Sequence, residues 1–332
     1  MSQSTKHATS VDLHSLTLGF QTFNASLYDR FQAVYGHLPR PNRLKVDVSI
    51  HWTLSGSSMA PTPPVDTPVI SPNKLVSYYG SKDVVHIRMP KYGLITVDFN
   101  RSQLTGAVTQ NCLNVYGAFE DVMMISLAPL YRRRGWFPLH AFAALPPNGK
   151  AVLITGEMGT GKTTTGLALL SAGWKLLSND SPLLTVQDNC VQVLAYPGRL
   201  SAFDDSLARF EHLRQFVDKA RVGGKSETKV KRVFGVEEAF DEPWASKGMA
   251  GGVFFPQVVP GLSQSELVPV PATEAVLQLM PQAIEGWDKA AIGQNLQLLS
   301  KLVEQAPCYI LRLSPHVEQL PALIEDGMIP GT

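Results

Sequence analysis

The sequence predicts an α/β fold preceded by a smaller β-rich region, on three observations. The apolar run "AVLIT" (Ala151 to Thr155) leads straight into the glycine-rich "GEMGTGK" and then into "TTTGLALLSAGW", which has helix-forming residues: strand, loop, helix in order. The runs "KLLSND" and "CVQVLAY" follow as further short strands, the pattern of an α/β core. The first third holds "LTLGFQTF", "LKVDVSIHWTL", "DVVHIRMP" and "GLITVDFN", short and partly alternating segments rich in Val, Ile, Thr and aromatics. The division expected is residues 1–130 for the β-rich region with a helix at its end, and 131–332 for the α/β core.

Taken in chain order, "SGSSMAPTPPVDTPVISPN" reads as a surface loop, because its prolines and small polar residues sustain neither a helix nor a central strand. From Asn114 to Arg134 apolar residues recur at helical spacing until a proline and Arg132, Arg133 and Arg134, which would solvate a helix end and complement its dipole, or else meet phosphate. "FPLHAFAAL" is expected as a strand adjacent to Ala151–Thr155, with His140 inside it, and "KLLSND" as another strand beside the one entering the loop. The helix after the loop should end near Gly173 in a left-handed cap. Further helices are expected over Asp204 to Lys219 and Ile292 to Glu304, with strands at "GGVFFP" and "CYILRL".

Composition narrows the classes of function. The 332 residues, 44% of them hydrophobic, are enough for a substantial core. With 29 basic against 28 acidic residues, no electrostatic footprint for nucleic acid or an anionic membrane is present. Cys112, Cys190 and Cys308 lack the paired spacing of a zinc site and cannot form a complete set of disulfides, which fits a reducing cytoplasm. No leader or membrane-length apolar run is read in the chain.

The chemistry concentrates in the loop. Gly156, Gly161, Lys162 and Thr163 fit G-x-x-x-x-G-K-[ST], the Walker A pattern, in which glycines let successive N–H groups turn inward around phosphate oxygens. The nucleotide-binding stretch is thus Gly156, Glu157, Met158, Gly159, Thr160, Gly161, Lys162, Thr163 and Thr164. Lys162 would reach the outer phosphates of ATP, Thr163 would place its hydroxyl on Mg²⁺, and the helix opening there adds its positive dipole end. Asp180, at the end of the following strand, supplies the carboxylate that Mg²⁺ needs, although "NDSP" is also good turn chemistry. His140 is either an ordinary core histidine or, beside the loop strand, a neighbour of the γ-phosphate. Two lower-ranked substrate contacts are Arg199, after a proline-glycine turn, and Lys225 in "RVGGKSETKVKR", a stretch with Lys229, Lys231 and Arg232 that reads as a loop able to close over phosphates or as solvated surface.

"PLHAFAAL…GKAVLITGEMGTGKTTTGLALLSAGWKLLSND" resembles the C-terminal kinase domain of HPr kinase/phosphorylase and its relatives, whose P-loop core shares a fold with phosphoenolpyruvate carboxykinases. The match covers about Gly135 to Asp180 and continues more weakly through "LAYPGRL", "GGVFFP" and "CYILRL" to about Leu323. The resemblance implies that His140 lies at the catalytic centre, that Lys162 and Thr163 hold phosphates and metal, and that Asp180 takes the proton from an attacking serine hydroxyl. It also implies a homo-oligomer. Asn179 departs from it, an amide standing where the family has an acid, which puts metal binding and reverse phosphorolysis in doubt and directs attention to Asp204 or Asp205 as other acids. The first third does not match the N-terminal domain of the HPr enzyme, and its substrate-docking signature is missing, so HPr is not the expected acceptor. The expected activity is transfer of the γ-phosphate of ATP, with Mg²⁺, to a hydroxyl of a peptide, protein or small molecule. The alternative is a catalytically weak nucleotide-binding regulatory module.

Overall fold

The computed structural model describes residues 5–42, 45–219, 221–225 and 230–328. The chain divides into two compact units, Met1–Arg134 and Gly135–Thr332.

In the first unit, β1 (His7–Leu13) and β2 (Leu16–Thr22) form an antiparallel hairpin, followed by α1 (Ala25–Tyr35). The helix starts because the Asn24 side chain accepts from the Leu27 amide at 3.0 Å. Leu27, Phe31 and Val34 then fall on one face at helical spacing and are buried. The strands β3 (Val48–Leu54), β4 (Val69–Ser71), β5 (Ser77–Gly80), β6 (Val84–Met89), β7 (Gly93–Asp98) and β8 (Gln103–Val108) complete an eight-stranded sheet in the order β1-β2-β3-β8-β7-β6-β5-β4. Its core is aromatic: Phe20 stacks on Phe31 with centroids 4.4 Å apart, and Trp52 meets Phe119 edge-on at 5.7 Å. The proline-rich stretch is largely loop as expected, apart from β4.

The helix expected over Asn114 to Arg134 is α3 (Ala118–Arg132), which starts later than expected because Asn114 closes a separate short helix, α2 (Gln110–Asn114). Val115 is extended and Gly117 adopts a φ of 75°, which breaks the run. Arg133 and Arg134 donate to the carbonyls of Pro129 and Leu130 at 3.2 and 3.3 Å, satisfying the end of α3.

In the second unit, β9 (Phe137–Pro138), β10 (Ala141–Leu145) and β11 (Ala151–Thr155) precede the glycine-rich loop and α4 (Lys162–Ser171). That helix ends as expected in a left-handed residue, Gly173 at φ 85°, and the Gly173 and Trp174 amides bond back to Leu170 and Leu169. Then come β12 (Lys175–Ser178), β13 (Leu183–Gln187), β14 (Cys190–Leu194), β15 (Leu200–Phe203), α5 (Asp204–Leu207) and α6 (Gln215–Lys219). After these follow β16 (Arg221–Lys225), β17 (Val230–Phe234), β18 (Lys247–Val258), β19 (Glu266–Pro269), α7 (Ala272–Ala283), α8 (Lys289–Gln305), β20 (Cys308–Leu313) and α9 (Leu320–Met328).

The main sheet runs β12-β10-β11-β18-β14-β13-β9, with β20 beside β18 and β19 beyond it. The twelve-residue β18 pairs with β14 through its first residues and with β11 and β20 further along, so the sheet branches there. Successive side chains of the central strands feed two different cores. Phe142, Val152, Ile154 and Phe254 pack with α4 and α9, whereas Ala143, Leu153, Val253 and Phe255 pack with α7 and α8. Burial on both faces is why "AFAAL", "AVLIT" and "GGVFF" read as unbroken apolar runs instead of alternating ones.

Three expectations fail here. β12 pairs with β10, not β11, because the β10–β11 hairpin places β10 on that side and the α4 crossover carries the chain past it. The helix expected over Asp204 to Lys219 is broken into α5, a 3-10 turn at Glu211–Leu213, and α6, with Arg232 bound to Asp204 at its start. The basic stretch expected as a loop contains two strands instead, since β17 pairs antiparallel with both β15 and β16 in a separate three-stranded sheet. Lys229 lies outside the described residues. Among the described residues, no helix is long and apolar enough to cross a membrane.

Candidate phosphoryl-transfer site

β11 ends at Thr155, and the loop after it turns through Gly156, Gly159 and Gly161 at φ values of 145°, 86° and 111°. Side chains rarely adopt these angles, and at Gly161 a Cβ would also stand 2.5 Å from Leu313 Cδ1. The loop is closed by its own residues. Thr160 Oγ1 donates to the Glu157 carbonyl at 2.9 Å, and Lys162 Nζ donates to the carbonyls of Gly156 and Glu157 at 2.5 and 2.8 Å. The ammonium thus lies across the mouth of the loop. Met158 is 93% exposed, so the loop offers backbone and the Lys162 charge, not an apolar lining. Partial burial holds the Lys162 pKa below the ordinary lysine value; Asp180 and Glu157 oppose that shift, and the charge of Lys231 adds to it. Asp180 is therefore within electrostatic reach of the lysine although the two are on different elements.

His140 is not within a strand, as expected, but in the break between β9 and β10. Its N–H leaves the ladder to donate to the Gln282 carbonyl at 2.8 Å, and its own carbonyl accepts the Thr155 hydroxyl at 2.8 Å. The histidine is thereby tied to the last residue before the loop. The next amide, that of Ala141, donates to the Asp180 carbonyl at 3.1 Å, and His140 Nδ1 lies 3.2 Å from Asp180 Oδ1. Both side chains are open to solvent, His140 at 42% and Asp180 at 56%, as groups that meet a substrate must be. The break in the strand is what turns the imidazole toward the carboxylate.

Thr163 and Thr164 occupy the first turn of α4. Thr164 Oγ1 pairs with Ser206 Oγ at 2.9 Å, a contact that local sequence patterns do not reveal because 42 residues separate the two. Asn179 Nδ2 donates to the Arg199 carbonyl at 3.2 Å, so the backbone of Arg199 sits next to Asp180's neighbour. The Arg199 guanidinium lies 3.7 Å from Glu238. Lys225 is on β16, the strand separated from β15 by β17, and only its backbone is described. Asp204, considered as another metal-binding acid, is held by the Arg232 guanidinium at 2.8 Å.

The loop, Lys162, Asp180 and His140 therefore meet at one end of β11, while Arg199 approaches by its backbone. Among the described residues no three or more His, Cys, Asp or Glu side chains group as a metal site. Magnesium that keeps water and phosphate oxygens needs only one or two protein oxygens, and Thr163 at the start of α4 and the solvent-open Asp180 are the residues that could offer them.

No family model matches the chain, and no curated protein matches it. Among solved structures, it is similar to the HPr(Ser) kinase/phosphatase from Coxiella burnetii, at 14% identity over 57% of this chain and 91% of that one, with a TM-score of 0.29. So low a score carries no argument about chemistry, which rests on the residues themselves.

Proposed function

We propose that the second unit transfers the γ-phosphoryl group of ATP to a hydroxyl of a peptide, protein or small molecule. The observation that carries this reading is the meeting of a glycine-rich loop, its lysine and a solvent-open Asp180–His140 pair at the end of one strand. A glycine-rich loop opening a helix suits an anion, and the end of a strand at a helix start is where α/β folds receive phosphates. On this reading Lys162 exchanges the carbonyls of Gly156 and Glu157 for phosphate oxygens. Asp180 receives the hydroxyl proton as that oxygen bonds to phosphorus and the bond to the leaving ADP breaks, and His140 orients the carboxylate. Magnesium held by Thr163 and Asp180 would neutralise charge on the phosphates.

The test is phosphate transfer by the purified protein with Mg-ATP, offered pools of serine peptides and small alcohols and scored by mass. Lys162→Ala is expected to weaken ATP binding by about tenfold or more and to abolish transfer. Asp180→Ala should bind ATP nearly as well yet lose on the order of 100-fold or more in turnover. Near-normal turnover of Asp180→Ala would remove the role given to it.

A further inference from the structure

Lys231 belongs to β17 and pairs in register with Phe203, the last residue of β15. Its ammonium lies 5.9 Å from the centre of the Phe203 ring, an aromatic support for a long side chain. Among the described residues it has no carboxylate within ion-pair distance, whereas its neighbour Arg232 is held by Asp204 at 2.8 and 3.3 Å. The two basic residues are thus treated differently: Arg232 is bound to the start of α5, and Lys231 is left as a half-buried cation.

The three-stranded sheet is anchored to the phosphate loop's own helix. Phe203 leads directly into α5, whose Ser206 bonds Thr164 in the first turn of α4 at 2.9 Å. The path from Thr164 to Lys231 therefore consists of two direct contacts, Thr164–Ser206 and Asp204–Arg232, joined by short stretches of backbone from Ser206 to Asp204 and from Arg232 to Lys231. It ties the strand that carries Lys231 to the first turn of α4, the helix that Lys162 opens. A phosphate reached by both cations would be attracted by each.

Resting on the proposed function, we propose that Lys231 is a second phosphate-binding cation, delivered by the three-stranded sheet and contacting the terminal phosphate of the bound nucleotide. Lys162 binds from within the loop, and Lys231 approaches from β17 on the α5 side. The two together would tell a triphosphate from a diphosphate, because only the former reaches both.

Calorimetry of Mg-ATP and Mg-ADP binding to the full chain, its Lys231→Ala and Lys231→Arg variants, and Lys162→Ala tests this. Lys231→Ala is expected to lose about ten- to a hundredfold in ATP affinity and less than about twofold for ADP, with Lys231→Arg retaining most of the ATP affinity. Equal weakening of both nucleotides, or a lowered melting temperature in Lys231→Ala with no change for ATP, would overturn it by reducing Lys231 to a structural residue. Unchanged ATP affinity with a raised KM for the acceptor would overturn it in favour of acceptor contact. If the unaltered chain binds neither nucleotide, the proposed function falls, and this inference with it. If it binds ATP through Lys162 but indifferently to Lys231, only the present inference is lost.

Discussion

At the residue scale, the amide of Asn179 has one orientation open to it. A carbonyl oxygen only accepts, so the nitrogen must face the Arg199 carbonyl, and the amide oxygen is left buried without a hydrogen-bond partner among the described residues. Asn179 therefore fastens the Arg199 turn next to Asp180. Asn179→Asp, which would restore the acid of the resembling family, sets a carboxylate oxygen against that carbonyl and costs about 1–3 kcal/mol. The expected outcome is a melting temperature several degrees lower, at about 2–4 °C per kcal/mol for a unit of this size, and no gain in phosphate transfer. Unchanged melting with faster transfer would assign the position to metal binding instead. The sequence marks Asn179 as a departure, but its partner is 20 residues away and has no local signature.

At the element scale, α4 is held against β10 so closely that Gly166 is a packing residue. A Cβ there would meet three atoms of the wholly buried Phe142 ring at 2.4 to 2.6 Å. Helix propensity favours Gly166→Ala by about 1 kcal/mol, whereas overpacking a full core costs about 1–3 kcal/mol. The ring has nowhere to go, so the clash decides, and a lower denaturant midpoint with an unchanged m-value is expected in urea unfolding. Strand, loop and helix around residue 156 were legible because apolar runs, glycines and the Gly173 cap agree on one element order. The Asp204 to Lys219 segment was not, because Leu207, Phe210, Leu213 and Phe216 keep a helix-like spacing of buried residues straight across the breaks after Leu207 and at Arg214. His140 was misplaced because its N–H is taken by Gln282, 142 residues on, which no strand pattern foretells.

At the scale of the whole molecule, composition and alternation reach the class, mixed α/β with a β-rich first third, and stop there. Strand order escapes them, since the pairing of β12 with β10 and the shared use of β18 by β11, β14 and β20 are set by which surfaces meet, not by any one segment. Both cores of the main sheet draw on residues from Phe137 onward, and so do the loop, Lys162, Asp180, His140 and Lys231. Residues 135–332 thus contain complete hydrophobic cores on both faces of their sheet, enough for a domain of this size to fold by itself. Expressed alone, this segment is expected to unfold in one cooperative thermal transition and to bind Mg-ATP within about threefold of the full chain. Scanning calorimetry and titration check both. A broad, non-cooperative transition would show that the first unit completes the core, whereas cooperative unfolding with lost binding would show that it completes the site.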